Sequence, residues 1–274
     1  MLKQRIITAV ILAALFFTAL FALPAFHFAW VMLIGLMAAV YEWGKLAGLK
    51  PGASVGYAAA VLALGLLLFF CCGVDPVRGF PARPVLMLCG VAAAFWIVVA
   101  PVWLNRGWTT RRTLLMVVLG AVLILALWMA MVQLHARSPW LLLAAMLVVW
   151  IADTSAYFTG RKFGRKKLAP VISPGKSWEG VYGGLACVAL YAVLLLVFSP
   201  LAADPRVSRP LVVVAALLLA MVSVVGDLFE SWMKRQAGVK DSGNTLPGHG
   251  GVLDRIDALV PALPVATLLV VLMS

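Results

Sequence analysis

Apolar residues run through this chain in long unbroken stretches rather than in alternation. Nine such runs can be read: 6–22, 25–43, 55–73, 85–104, 114–133, 140–159, 180–199, 210–233 and 256–273. A membrane-spanning helix needs about 20 mostly apolar residues. A lipid-facing barrel strand would alternate apolar and polar positions, which these runs do not. The pattern predicts an all-α fold: a polytopic integral membrane helical bundle of about nine transmembrane helices. Residues 1–138 then form an N-terminal transmembrane scaffold of about five spans. Residues 139–274 form a C-terminal region of about four, with polar connections at 160–179 and 234–255.

Composition agrees. Of the 274 residues, 64% are hydrophobic and 12% charged, with a mean hydropathy of +1.07, which leaves no room for a separate soluble domain. The first run follows Lys3 and Arg5 as a secretory signal would. No small-residue cleavage site is evident and a second span follows at once, so a retained signal-anchor is expected. Cys71, Cys72, Cys89 and Cys187 lie inside apolar runs without metal-ligand spacing and read as small packing residues.

The net charge of +12 could suggest nucleic acid, but its distribution argues otherwise. With alternate sides assigned along the nine runs, seventeen of the 22 Lys and Arg residues fall on the N-terminal side. The positive-inside bias places that side, the N-terminus and both polar connections in the cytoplasm. The expected setting is the cell's inner or plasma membrane, with the lipid bilayer as partner and no nucleic acid.

Acidic residues are unevenly placed. The scaffold has Glu42 and Asp75; Glu42, at the inner end of the second run, is expected to meet solvent or a loop lysine rather than to do chemistry. Asp153, Glu179, Asp227, Glu230, Asp241, Asp254 and Asp257 all lie between 139 and 258. At helical rise, Asp153 is about 21 Å and Asp227 about 25 Å from the outer ends of their spans. Both therefore reach the inner third of a hydrocarbon core about 30 Å thick, the side on which Asp254 and Asp257 begin the last run.

In "GDLFESWMKR", 226–235, Asp227, Glu230, Ser231 and Lys234 share one helical stripe. Glu230 and Lys234 read as an ordinary helix-end ion pair. Asp227 has no cation one turn away, and a carboxylate facing lipid costs about 2.5–3.5 kcal/mol, so it should face a partner or a bound metal. In "HGGVLDRID", 249–257, Gly250 and Gly251 can bring backbone N–H groups to phosphate oxygens, and His249 reads as a phosphate or loop donor. Asp254 and Asp257 share a face at i, i+3 in a first helical turn, where the dipole alone would favour them. Hard divalent cations bound with phosphates take one or two carboxylates plus water, which Asp227 and Asp254 could supply. Lys234, Arg235, Lys240 and Arg255 add positive charge around that site, the mixture expected for an anionic, phosphate-bearing substrate.

In the connection 160–179, Arg161, Lys162, Arg165, Lys166 and Lys167 can serve topology or anionic lipid heads as readily as catalysis. "SPGKSWEG" is more specific: Ser173, Gly175, Lys176 and Ser177 form a compact donor set, and Glu179 enters the next span. It is not a Walker loop, because Pro170 stands where that spacing needs glycine and no strand is expected before it.

These residues resemble the phosphatidate cytidylyltransferase family, the CDP-diglyceride synthetases. The family signature reads without interruption through Ser231, Lys234–Arg235, Lys240–Asp241, Gly243, Leu246–Pro247, His249–Gly250–Gly251 and Asp254–Arg255–Ile256–Asp257. A supporting match runs from Asp153 to Gly180, with Ser155 and Ser177 where Gly and Thr are common; Ala258 stands where Ser is frequent. The first five spans resemble the family only in hydropathy. The resemblance implies that CTP and phosphatidate give CDP-diacylglycerol and pyrophosphate with Mg²⁺. Asp227, Asp254 and Asp257 would be metal ligands. Lys176, Lys234, Arg235, Lys240 and Arg255 would neutralise phosphate oxygens. Asp153, Ser173, Ser177, Glu179, Asp241, His249, Gly250 and Gly251 would position substrate or its loops; a homodimer is compatible with this. Of the competing classes, an ion-coupled transporter predicts charges midway along several spans and internal symmetry. A CDP-alcohol phosphatidyltransferase needs an Asp-Gly-x2-Ala-Arg element that is absent, and an inactive scaffold leaves the polar set unexplained.

Overall fold

In the computed structural model, residues 2–75, 77–110, 112–199, 208–246, 248 and 250–273 are described. Each of the nine apolar runs forms a helix. The first five runs give α1 (Leu2–Ala22), α2 (Ala25–Leu46), α3 (Pro51–Cys72), α4 (Ala82–Ala94) continuing through a π-helical stretch Phe95–Val99 into α5 (Ala100–Arg106), and α6 (Thr113–Arg137). The remaining four give α7 (Pro139–Phe163), α8 (Trp178–Phe198), α9 (Arg209–Gln236) and, after a four-residue turn α10 (Leu253–Ile256), α11 (Leu259–Leu272). Among the described residues, seven helices are long and apolar enough to cross a membrane; α1 and α11 offer shorter apolar stretches. The punctuation is local. Pro51, Pro139 and Pro210 open helices in the first turn, where a missing N–H costs nothing. Gly73 and Gly107 close two of them in the left-handed conformation.

The packing follows from which helices are apolar all round. α6 is buried along most of its length, including Leu123 to Leu134 almost entirely, and it packs on α2, α4, α7 and α11. Indole N–H groups bind two helix carbonyls in this interior: Trp128 Nε1 donates to Ala29 O at 2.8 Å and Trp43 Nε1 to Met116 O at 2.7 Å. α3 and α8 instead expose most of their apolar side chains, as helices facing lipid should. The π-helical stretch has a visible consequence. The successive residues Phe95 and Trp96 both reach the ring of Phe229, at 5.4 and 5.5 Å, and Trp43, Trp103 and Trp232 complete an aromatic cluster around it.

Glycines set two close approaches. Gly180 and Gly184 of α8 lie so near α7 that a Cβ would sit 2.8 Å from Ala156 O and 3.0 Å from Ala152 O respectively, small-residue packing common between membrane helices. A Cβ on Gly226 of α9 would lie 2.6 Å from Asp257 O. Its absence draws the Asp227 turn onto the start of the last span.

Two local expectations change. The connection after α7 contains a small antiparallel hairpin, β1 (Lys167–Ala169) and β2 (Ser173–Ser177), registered Lys167↔Ser177 and Ala169↔Ser173. A strand therefore does precede "GKS", although the Walker spacing still fails. The last span does not begin at 256: the short turn α10 is followed by a break at Asp257–Ala258 before α11 starts. Asp254 thus lies in α10 and Asp257 just beyond it, with its N–H on Leu253 O at 2.9 Å.

Candidate active site

The polar site forms where the ends of α7 and α9, the β-hairpin and the 237–253 loop converge. The hairpin carries Lys176 to α9, where its Nζ lies 2.5 Å from Asp227 Oδ2. This supplies the cation that spacing alone did not offer Asp227. Ser231 Oγ, one turn on, donates to Asp227 Oδ1 at 3.4 Å. Asp153 of α7 lies within electrostatic range of both Asp227 and Lys176, so α7 and α9 bring these two aspartates to one place.

One turn further along α9, Lys234 joins two acids. Its Nζ is 2.6 Å from Glu230 Oε2 and 2.8 Å from Asp254 Oδ1. The helix-end pair Glu230–Lys234 is present, but it is buried and shared: Glu230 is 3% exposed and Lys234 14%. Among the described residues, nothing hydrogen-bonds to Glu230 Oε1. Asp257 is within electrostatic range of Asp227 and Glu230. The acids Asp153, Asp227, Asp257, Glu230 and Asp254 therefore form a connected series, with Lys176 and Lys234 set into it. Among the described residues, no group of three or more His, Cys, Asp or Glu side chains is gathered as a ready-made metal cage.

Asp254 is the most completely bound acid of the series. Besides Lys234, it accepts from Ser242 N on both oxygens, at 3.2 and 3.1 Å, and from Gly251 N at 2.9 Å. Burial pushes its carboxyl upward, but Lys234 and the Gly251 N–H outweigh burial and hold it below the ordinary carboxylate range.

Several expected substrate contacts are committed to the protein itself. Gly251 N–H belongs to Asp254. Gly250, with φ +82°, bridges to Leu246, whose N–H donates to Gly250 O at 2.9 Å. Ser177 is buried and its Oγ caps α8 by accepting from Gly180 N at 3.2 Å. Glu179 accepts from Arg165 N and Lys166 N at 3.1 and 3.2 Å, tying the hairpin's entry to α8. Ser173 sits at the start of β2. Arg235 Nε donates to Ile172 O at 3.3 Å across the hairpin turn. Lys240, Asp241 and Arg255 are exposed beside the site, as are the five basic residues of 161–167, of which Arg161 donates to Tyr157 Oη at 3.3 Å. His249 lies outside the described residues.

Sequence reasoning undervalues two acids. Glu230 reads as a surface pair because its i, i+4 lysine explains it locally. Glu42, expected to meet solvent or a lysine, is instead fully buried and binds the 242–253 loop. Its rarity is the available signal: with Asp75 it is one of two acids in the first 138 residues.

Fold and site together define a polytopic helical membrane protein with interleaved acids and lysines at one end of its bundle. Residues 3–273 match the model of the cytidylyltransferase family, and the chain belongs to that family. It is 39% identical over 277 residues to the phosphatidate cytidylyltransferase of Pseudomonas aeruginosa, covering 97% of this chain and 95% of that protein. It is 35% identical over 281 residues to that of Haemophilus influenzae, with 96% of each covered. Similarity to the Brucella abortus phosphatidate cytidylyltransferase rises to 57% over 115 residues, covering 42% of this chain and 41% of that one.

Proposed function

We propose that this chain condenses CTP with phosphatidate, forming CDP-diacylglycerol and releasing pyrophosphate. A phosphatidate oxygen forms the new bond to the CTP α-phosphorus as the bond to the β-phosphate oxygen breaks. The observation that carries the reading is the pair of lysine-centred clusters, Lys176–Asp227 and Glu230–Lys234–Asp254, on adjoining turns of α9. The names of the full-length relatives supply the nucleotide and the lipid.

A phosphate monoester is already an anionic nucleophile near neutral pH, so the site needs little general base. It needs relief of repulsion between two anions and of charge on the leaving pyrophosphate. Lys176 and Lys234 can provide both while staying paired. An ammonium has three donors; Lys176 gives one to Asp227, and Lys234 gives one each to Glu230 and Asp254, so each keeps capacity for phosphate oxygens. Arg235, Lys240 and Arg255 are exposed and extend the positive field.

The donor set fits a hard divalent cation such as Mg²⁺. Five acids outnumber the two lysines set among them, and Glu230 keeps a buried oxygen that no described residue binds. Such ions take only one or two carboxylates when phosphates complete the shell. Asp227 and Asp257 would hold it, while Asp254, both of whose oxygens already accept from Lys234, Ser242 or Gly251, would act through Lys234 rather than as the ligand the sequence suggested. When bound, the ion supplies charge relief on the triphosphate. Asp153, within electrostatic range of Asp227 and Lys176, adds negative charge beside that pair. The distribution of basic residues supports a cytoplasmic face for this end of the bundle, where a soluble nucleotide meets a lipid headgroup.

The test is direct. Purified protein is given phosphatidate, Mg²⁺ and each of the four nucleoside triphosphates in turn, and pyrophosphate is followed. Release with CTP that depends on phosphatidate is expected; no release with any nucleotide from folded protein ends the reading.

A further inference from the structure

Glu42 stands on α2, about 200 residues in sequence from the signature loop it binds. It is completely buried, and among the described residues no lysine or arginine pairs with it. Neutral donors hold it instead. Thr245 Oγ1 and Val252 N donate to Oε1 at 2.5 and 3.1 Å; Ser242 Oγ and Leu253 N donate to Oε2 at 3.1 and 2.8 Å. The loop closes tightly around the carboxylate. A Cβ on Gly243 would lie 2.6 Å from Oε1, and one on Gly251 2.5 Å from Oε2. These two glycines thus make room for Glu42.

Asp254 grips the same loop from the other side. Ser242 gives its hydroxyl to Glu42 and its N–H to Asp254. Gly251 N–H goes to Asp254, whereas the next two N–H groups go to Glu42. The two carboxylates therefore share the folding of one loop, and the loop in turn aims Asp254 at Lys234.

We propose that Glu42 is a positioning residue for catalysis: by clamping residues 242–253 it sets Asp254 and Lys234 for the phosphate chemistry. The inference rests on the function proposed above for the same site. An isosteric amide is the informative change. Glu42→Gln would turn an NH₂ toward donors already facing that position, leaving at least one of them unpaired in a buried place.

The experiment compares the full-length parent with Glu42→Gln, Thr245→Val and Ser242→Ala in detergent, measuring CTP- and phosphatidate-dependent pyrophosphate release beside amide hydrogen exchange. For Glu42→Gln, kcat is expected to fall roughly 10- to 100-fold, the range for lost outer-shell support, with KM for CTP changed little. Exchange at 242–254 should quicken while α6 stays protected. Thr245→Val and Ser242→Ala each remove one donor and should give smaller losses in the same direction. Unchanged kcat in folded Glu42→Gln, or a lower melting temperature without a kcat change, overturns the proposal. If Glu42→Gln does not fold, the two donor variants decide by the same criterion. Should the parent itself release no pyrophosphate, the functional reading fails, and loop exchange alone then decides whether Glu42 holds the loop.

Discussion

Lys234 offers the sharpest energetic test, because one buried ammonium there serves two carboxylates. At 2.6 and 2.8 Å, each contact is worth about 6 kcal/mol of gross attraction at an effective dielectric near 20. Desolvation consumes several kcal/mol per ion, so the net value of the arrangement is far smaller. Removing the cation is a different matter: Glu230 and Asp254, 3% and 11% exposed, would be left facing one another without a counter-ion. Breaking a buried pair in this way typically costs about 3–5 kcal/mol. For a chain of this size that corresponds to a fall in Tm of roughly 6–20 °C. Lys234→Met should therefore unfold markedly earlier, followed by intrinsic fluorescence of the nearby Trp103 and Trp232. Combining Lys234→Met with Glu230→Gln should recover part of the loss, since only Asp254 then remains uncompensated. A Lys234→Met protein melting within about 1 °C of the parent would refute the reasoning, as would a double variant no more stable than the single one.

Asp227→Asn should keep the fold, because the Lys176–Asp227 pair is about a quarter exposed and such pairs contribute little to stability. It should nevertheless lose at least about 100-fold in CTP-dependent pyrophosphate release; near-normal turnover would remove Asp227 from the proposed metal set. Gly226→Ala places a methyl group 2.6 Å from Asp257 O, an overpacking expected to cost about 1–3 kcal/mol, read as a lower Tm with reduced turnover. Glu179→Gln weakens the acceptor for Arg165 N and Lys166 N, loosening the hairpin's entry with little effect on global stability. Limited trypsin cleavage at 165–167 should accelerate while KM for CTP moves only a few-fold. A large KM increase without faster cleavage would mark Glu179 as a substrate contact.

Sequence and structure divide along the range of the interactions. Asp227, Glu230, Ser231 and Lys234 are legible as one stripe because helical spacing is a local property, and the stripe is present. Lys176 is visible in the sequence as a donor but not as the partner of Asp227. That pairing depends on a hairpin turn carrying β2 across to α9, and nothing in 173–177 states where its side chains end. Paired glycines such as Gly250 and Gly251 suggest a phosphate cradle because they free the backbone to approach a ligand. Here Gly251 instead donates to Asp254 and makes room for Glu42, a use that requires knowing which carboxylate lies behind the loop.

What the sequence determined by itself was the membrane architecture and the family. Continuous apolar runs can satisfy their backbone groups in lipid only as helices, so the helices and their order follow from composition along the chain, although the start of the last one does not. The signature from Ser231 to Asp257 is contiguous and needs no folding to be recognised. The tertiary structure alone decided which carboxylates share which cations, and that an acid of the second helix holds the signature loop. Ion pairs and buried hydrogen bonds are made over a few ångströms between segments up to about 200 residues apart. Their energies depend on burial that only the packed helices create.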